Sequence, residues 1–123
     1  MPDKNKVTSY QIIILLKQDR QIQIGALGRF DFEAGYYVYS GSAKRNLAAR
    51  LARHYRKNKP LRWHIDYLTS HPDSEVIDSQ TFSANECQLN QACPGTIPVP
   101  GFGSSDCKAG CGAHLKYLGQ KRP

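Results

Sequence analysis

Acidic residues are scarce in this chain of 123 residues. Ten Asp and Glu stand against seventeen Lys and Arg, for a formal charge of +7 and a pI near 9.4. The imbalance favours an anionic partner, nucleic acid first and a membrane surface second. It also leaves few carboxylates to hold a cation, and most of them sit in turns. Long apolar runs are lacking too. The longest, Ile12 to Leu16, falls far short of the ~20 residues of a membrane span and suits a buried strand. No apolar core follows the polar start Met1-Pro2-Asp3-Lys4-Asn5-Lys6, so a secretory signal is not expected and a cytoplasmic location is. In that compartment Cys87, Cys93, Cys107 and Cys111 read as thiols or metal ligands rather than disulfides. There is no internal repeat and no sign of a second domain. The length suits one domain with one hydrophobic core.

The chain that remains is a succession of short elements. Residues 1–7 read as a disordered arm, residues 8–118 as the domain, and residues 119–123 as a tail. Thr8 to Leu16 has the length and the Ile/Leu content of a strand. Gln21-Ile22-Gln23-Ile24 alternates strictly, as a half-buried strand does, and the pair is expected to form a hairpin. Gly25 to Phe32 reads as a glycine-punctuated loop. Gly35-Tyr36-Tyr37-Val38-Tyr39 gives an aromatic third strand that ends at Gly41-Ser42-Ala43. Asn46 can cap a helix running to about Lys57. A short helix is expected over Arg62 to Thr69, a strand over Glu75 to Phe82, a helix over Ala84 to Ala92 and a closing strand over Ala113 to Leu118. Residues 94–113, dense in Gly and Pro, form a loop long enough to need something holding it. The expected fold class is α/β of the α+β type: a small central antiparallel or mixed sheet of three or more strands, flanked by helices.

The helix after Asn46 carries the charge pattern. Leu47, Ala48, Leu51, Ala52 and Tyr55 form the expected core-facing stripe. Arg50, Arg53, His54 and Lys57 recur at helical spacing on the other side, with no acid between them. A solvated face usually mixes signs, so this one points to phosphate. Hydrolysing a phosphodiester needs a base for water, cationic groups or a metal for the developing charge, and an acid for the leaving oxygen. A tyrosine has an ordinary pKa of about 10. It becomes a usable base when guanidinium groups or a metal favour the phenolate. Tyr39 leads into the glycine turn before this helix, and Glu86, early in a predicted helix, is the acid best placed to hold a divalent ion.

Ser9-Tyr10-Gln11-Ile12, Tyr39-Ser40-Gly41-Ser42-Ala43, Arg50-Leu51-Ala52-Arg53-His54 and Glu86 together resemble the GIY-YIG nuclease superfamily. Trp63-His64-Ile65-Asp66-Tyr67-Leu68, Glu86-Cys87, Gly101 to Cys107 and His114-Leu115 resemble an uncharacterised microbial branch of it. The likeness spans roughly residues 8–118. The first motif reads Thr8-Ser9-Tyr10 in place of Gly-Ile-Tyr, and Ser40 stands where an aliphatic residue is usual. The resemblance implies a central antiparallel sheet flanked by helices and a metal-dependent endonuclease acting on DNA before RNA. It implies Tyr10 as the group that positions water, Tyr39 as general base or its partner, and Arg50 as the clamp on the scissile phosphate. His54 would shuttle protons, and Glu86 would be the ligand of Mg2+ or Mn2+. Lys44, Arg45, Arg53 and Lys57 are the expected contacts to nucleic acid.

Each of these residues also has a purely structural role open to it. Tyr39 could be a sheet aromatic, His54 a helix C-terminal residue favoured by the dipole, and Glu86 a first-turn acid favoured by it. Asp66 and His64 suit a buried hydrogen-bonded pair. The spacing of Cys107, Cys111 and His114 is one that a structural Zn2+ could use, with Cys87 or Cys93 as fourth ligand, and such an ion would staple the long loop. Two other functions are therefore carried forward: a non-catalytic nucleic-acid-binding module, and a small zinc-stabilised adaptor.

Overall fold

A computed structural model describes residues 9–42, 47–82, 95–99 and 114–121. In chain order they form β1 (Ser9–Leu16), β2 (Arg20–Ile24), a 3-10 turn (Gly25–Leu27), β3 (Gly28–Phe32), β4 (Gly35–Ser42), α1 (Leu47–Tyr55), α2 (His64–Thr69), β5 (Ser74–Phe82) and β6 (Leu115–Gly119). The fold is α+β, with a four-stranded antiparallel sheet in the order β5-β1-β4-β6 and a separate β2-β3 hairpin. Among the described residues no helix is long and apolar enough to cross a membrane.

β1 lies in the middle of the sheet for a reason its sequence states. Tyr10, Ile12, Ile14 and Leu16 fall at every second position and all are buried, so one face of the strand is continuous core. Opposite them on β4 stand Gly41, Tyr39, Tyr37 and Gly35. On the other side β5 pairs with a register shift between Ile13 and Ile14. α1 packs on β5, and α2 bridges β5 and β2. The core fills the space beneath these elements, where Ile65 and Leu68 of α2 meet Ile22, Ile24 and Phe32 of the hairpin and the sheet side chains. Fully burying a side chain of this size contributes about 1.5–3 kcal/mol.

Two expectations are corrected here. β1 and β2 are not hairpin partners, because both edges of β1 are taken by β4 and β5. The Lys17 amide also continues toward the Asp73 carbonyl, on the β5 side. β2 pairs with β3 instead, and β3 occupies the stretch expected to be a loop. The glycines that suggested a loop, Gly25 (φ 48°) and Gly28 (φ 122°), supply the tight 3-10 connection between the two strands. The strand expected from Glu75 is present as β5, and the closing strand is β6. The N-terminal arm, the Asn46 cap and the helix over Ala84 to Ala92 lie outside the described residues, as does most of the 94–113 loop.

Candidate active site

The site begins with the pleat. Tyr10 on β1 is opposite Gly41 on β4, and Tyr39 is opposite Ile12, so both phenols project from the same face of adjacent strands. Their ring centroids are 6.5 Å apart. Gly41 makes this possible by its size alone. A Cβ there would sit 2.5 Å from both Cζ and Oη of Tyr10. The ring occupies the space that any side chain would need. Tyr37, two residues back on the same face, is not part of the site. Its hydroxyl donates to the Glu33 carbonyl at 2.6 Å, its ring meets Phe32 and Tyr117, and burial pushes its pKa up.

α1 delivers the remaining groups, and it does so with a different face from the expected one. Leu47 and Leu51 pack on the core, but Ala48, Ala52 and Tyr55 are exposed, while His54 is fully buried. The helix is thus rotated so that Leu47, Arg50, Leu51 and His54 face inward. These are positions i, i+3, i+4 and i+7 of one helical stripe. His54 Nε2 lies 2.7 Å from the Tyr10 hydroxyl. The His54 ring centroid is 5.3 Å from that of Tyr10 and 5.9 Å from that of Tyr39. Burial, with the charges of Lys59, Arg53 and Arg50 nearby, pushes the His54 pKa down to about 4 against a partial opposing pull from Asp66. The imidazole is therefore neutral at pH 7. Its Nδ1 is buried and has no hydrogen-bond partner among the described residues.

Trp63, at the start of α2, lies against the cationic side of α1. The Arg50 guanidinium lies 5.0 Å from its ring centroid and that of Arg53 lies 4.5 Å away. The His54 ring is 6.4 Å distant. A guanidinium over an indole face is attracted to its π-electrons, which restrains a long, otherwise mobile arginine. The signal for this was an aromatic residue beside a basic run, Arg62-Trp63, one short loop after the helix.

Not all the predicted cations face outward for phosphate. Arg53 donates to the Asp66 carboxylate at 2.6 Å and to the Pro60 carbonyl at 2.6 Å. Asp66 has no exposed surface. Burial alone would raise its pKa, but the Arg53 hydrogen bond and the Trp63 and Arg62 amides outweigh burial and hold it below the usual carboxylate value. Asp66 is thus a buried anchor, as its structural reading had it, with Arg53 as its partner. Lys57 donates to the His71 and Ser74 carbonyls. Arg53 and Lys57, expected to contact nucleic acid, are both engaged by groups of the protein itself. Lys59 ends α1 two residues before the expected Lys57, by donating to the Arg53 and His54 carbonyls and to Thr69 Oγ1. Burial lowers its pKa to about 8.

The structure thus brings Tyr10, Tyr39, Arg50 and His54 together. Lys44, Arg45, Glu86, Cys87, Cys93, Cys107 and Cys111 lie outside the described residues. His114 is described: it is buried, and its carbonyl accepts the Ser40 amide at 3.0 Å. No group of three or more His, Cys, Asp or Glu able to hold a metal stands among the described residues. A cleft of about 290 Å³ between Asp19, Asp31 and Glu33 lies away from these residues, on the hairpin.

A four-stranded antiparallel sheet with two tyrosines, a neutral histidine and a stacked arginine on one face defines the class: a small α+β domain with a polar aromatic site. Residues 9–123 match the family described as "Domain of unknown function DUF123", and the chain belongs to that family. No curated protein and no solved structure matches the chain.

Proposed function

We propose that this domain is a metal-dependent endonuclease that hydrolyses phosphodiester bonds in DNA, with RNA the less favoured substrate, and that its site is of the GIY-YIG kind. The observation that carries the reading is the convergence of Tyr10 and Tyr39 from adjacent strands with His54 and Arg50 from one helix face. Four residues suited to proton transfer and phosphate binding, separated by up to 44 positions, meet at one end of one sheet.

The chemistry follows from the groups. His54 is neutral at pH 7 and in hydrogen-bond contact with Tyr10, so a proton can pass between phenol and imidazole without first being lost to solvent. Tyr39, on the same face, orients or deprotonates the attacking water. Arg50, restrained by Trp63, faces the phosphoryl oxygens as a planar donor. Of the carboxylates described, Asp66 is close but already engaged by Arg53. The divalent ion of this reading therefore depends on Glu86. Mg2+ or Mn2+ held there would neutralise charge on the phosphorane, as one carboxylate plus phosphate oxygens suits a hard, hydrated cation.

Nicking of supercoiled plasmid and of structured oligonucleotides with Mg2+ or Mn2+ tests the proposal. Arg50→Ala and Glu86→Ala should each lower the rate at least 100-fold, the order expected for one transition-state contact. Activity unchanged in both variants would remove the reading. Binding to nucleic acid with no cleavage of any substrate would instead support the non-catalytic module.

A further inference from the structure

Trp63 is the only tryptophan of the chain, yet it is not in the core. It is 37% exposed, and Leu61 beside it is 48% exposed. Three neighbours support the indole, and all come from one surface of α1: Arg50, Arg53 and His54. These are helix positions i, i+3 and i+4, which share a side. Its backbone is fixed as well, since the Trp63 amide donates to buried Asp66 at 2.9 Å. A large aromatic ring is thus held rigidly at the rim of the site, one side-chain width from His54. Around it the loop from α1 to α2 carries exposed Arg56 and Arg62.

A rigid exposed aromatic beside cations that can follow a phosphate chain is what proteins use to hold single strands. Every base has a π-face, and stacking on an aromatic side chain tolerates any sequence. A paired base inside a duplex has both faces covered by its neighbours and cannot use such a platform. We propose that Trp63 stacks an unpaired nucleobase next to the scissile phosphate, so that the substrate class is single-stranded or branched nucleic acid rather than continuous duplex. This rests on the nuclease reading of the neighbouring site, but its test does not require cleavage.

The experiment is a fluorescence titration in EDTA with three probes of one length: oligothymidylate, the same sugar-phosphate chain with abasic sites throughout, and a blunt duplex. Emission excited beyond the tyrosine absorption band reports Trp63 alone. Oligothymidylate should quench the emission and bind about tenfold or more tightly than the abasic chain, the fold-change expected for one stacked base. Trp63→Phe should keep most of that preference. Trp63→Ala, followed by fluorescence anisotropy of labelled oligonucleotides, should bind both chains alike. An oligouridylate that binds more tightly than oligothymidylate would still support the platform and would make RNA the substrate. Equal affinity for the normal and abasic chains, a preference retained in Trp63→Ala, or a duplex bound more tightly than the single strand with equal quenching would each overturn it. Failure of the nuclease reading shows separately, as plasmid that is never nicked when Mg2+ or Mn2+ is supplied.

Discussion

Replacing Gly41 by alanine tests whether that glycine exists to seat the Tyr10 ring. Gly41 lies in extended strand backbone, so an alanine there meets no backbone strain. The added Cβ meets Tyr10 Cζ and Oη at 2.5 Å, and ordinary contact begins near 3.4 Å. The ring must move by about 0.9 Å, the difference between those distances. It cannot rotate freely, because Tyr10 is only 2% exposed. Overpacking of this kind costs about 1–3 kcal/mol. The same movement lengthens the buried Tyr10–His54 hydrogen bond of 2.7 Å, and a buried pair left unmade costs about 1–3 kcal/mol more. The expected total is about 2–4 kcal/mol, since one shift of the ring relieves part of both. Urea unfolding followed by Trp63 emission measures it. The decisive comparison is a double-mutant cycle with Tyr10→Leu, whose side chain stops short of the atoms that clash. In that background Gly41→Ala should cost less than about 1 kcal/mol, because distant or vanished partners no longer couple. An equal cost in both backgrounds would refute the idea that glycine and tyrosine are matched.

Further expectations concern the polar frame. The folded His54 pKa of about 4 lies below its ordinary 6.5, so the unfolded chain binds the extra proton. Stability should be fully present above pH 6.5 and fall by on the order of 3 kcal/mol between pH 6.5 and 4, beyond any change seen in His54→Gln; parallel pH profiles of the two proteins would count against the buried neutral ring. Asp66→Asn leaves Arg53 without its buried partner and should cost about 3–5 kcal/mol in urea unfolding, whereas a loss below 1 kcal/mol would mean the pair is not structural. Gly35→Ala places a methyl 2.5 Å from the Gly119 carbonyl at φ 139°, so thermal melting should shift down by several degrees, and an unchanged midpoint would mean that β4 and β6 are not joined as described.

Much of this arrangement was legible in the residues. Length and Ile/Leu content marked β1, strict alternation marked β2, and the Tyr-x-Gly step before a basic helix pointed to the candidate site, because strand period and turn chemistry are local properties. What was misjudged depended on distant partners. The apolar residues of α1 suggested a stripe through Ala48, Ala52 and Tyr55, but alanines bury little area, and the buried bond to Tyr10 sets which side of the helix turns inward. Arg53 was read with the phosphate-facing cations, and its pairing with Asp66, 13 residues later, was not visible in the helix itself. β2 seemed to pair with β1 because they are neighbours in sequence, whereas β1 had already been claimed from both sides by strands far along the chain. Trp63 gave a weak signal, since an aromatic beside an arginine in sequence does not show which helix face it will meet.

The placement of the two tyrosines has a dynamic consequence. β1 and β4 are the inner strands of the described sheet, each bonded along both edges, and such strands exchange their amide protons only when the whole domain opens. α1 is a nine-residue helix joined to the sheet through side chains, by Leu47, Leu51, the His54–Tyr10 bond and its lysine and arginine contacts, so it can open without breaking a backbone bond of the sheet. One half of the constellation is thus fixed to a slab and the other rides on a movable arm. Amides of Tyr10 and Tyr39 should outlast those of Arg50 and His54 in deuterium exchange, and lifting the arm would part phenol from imidazole without unfolding the protein.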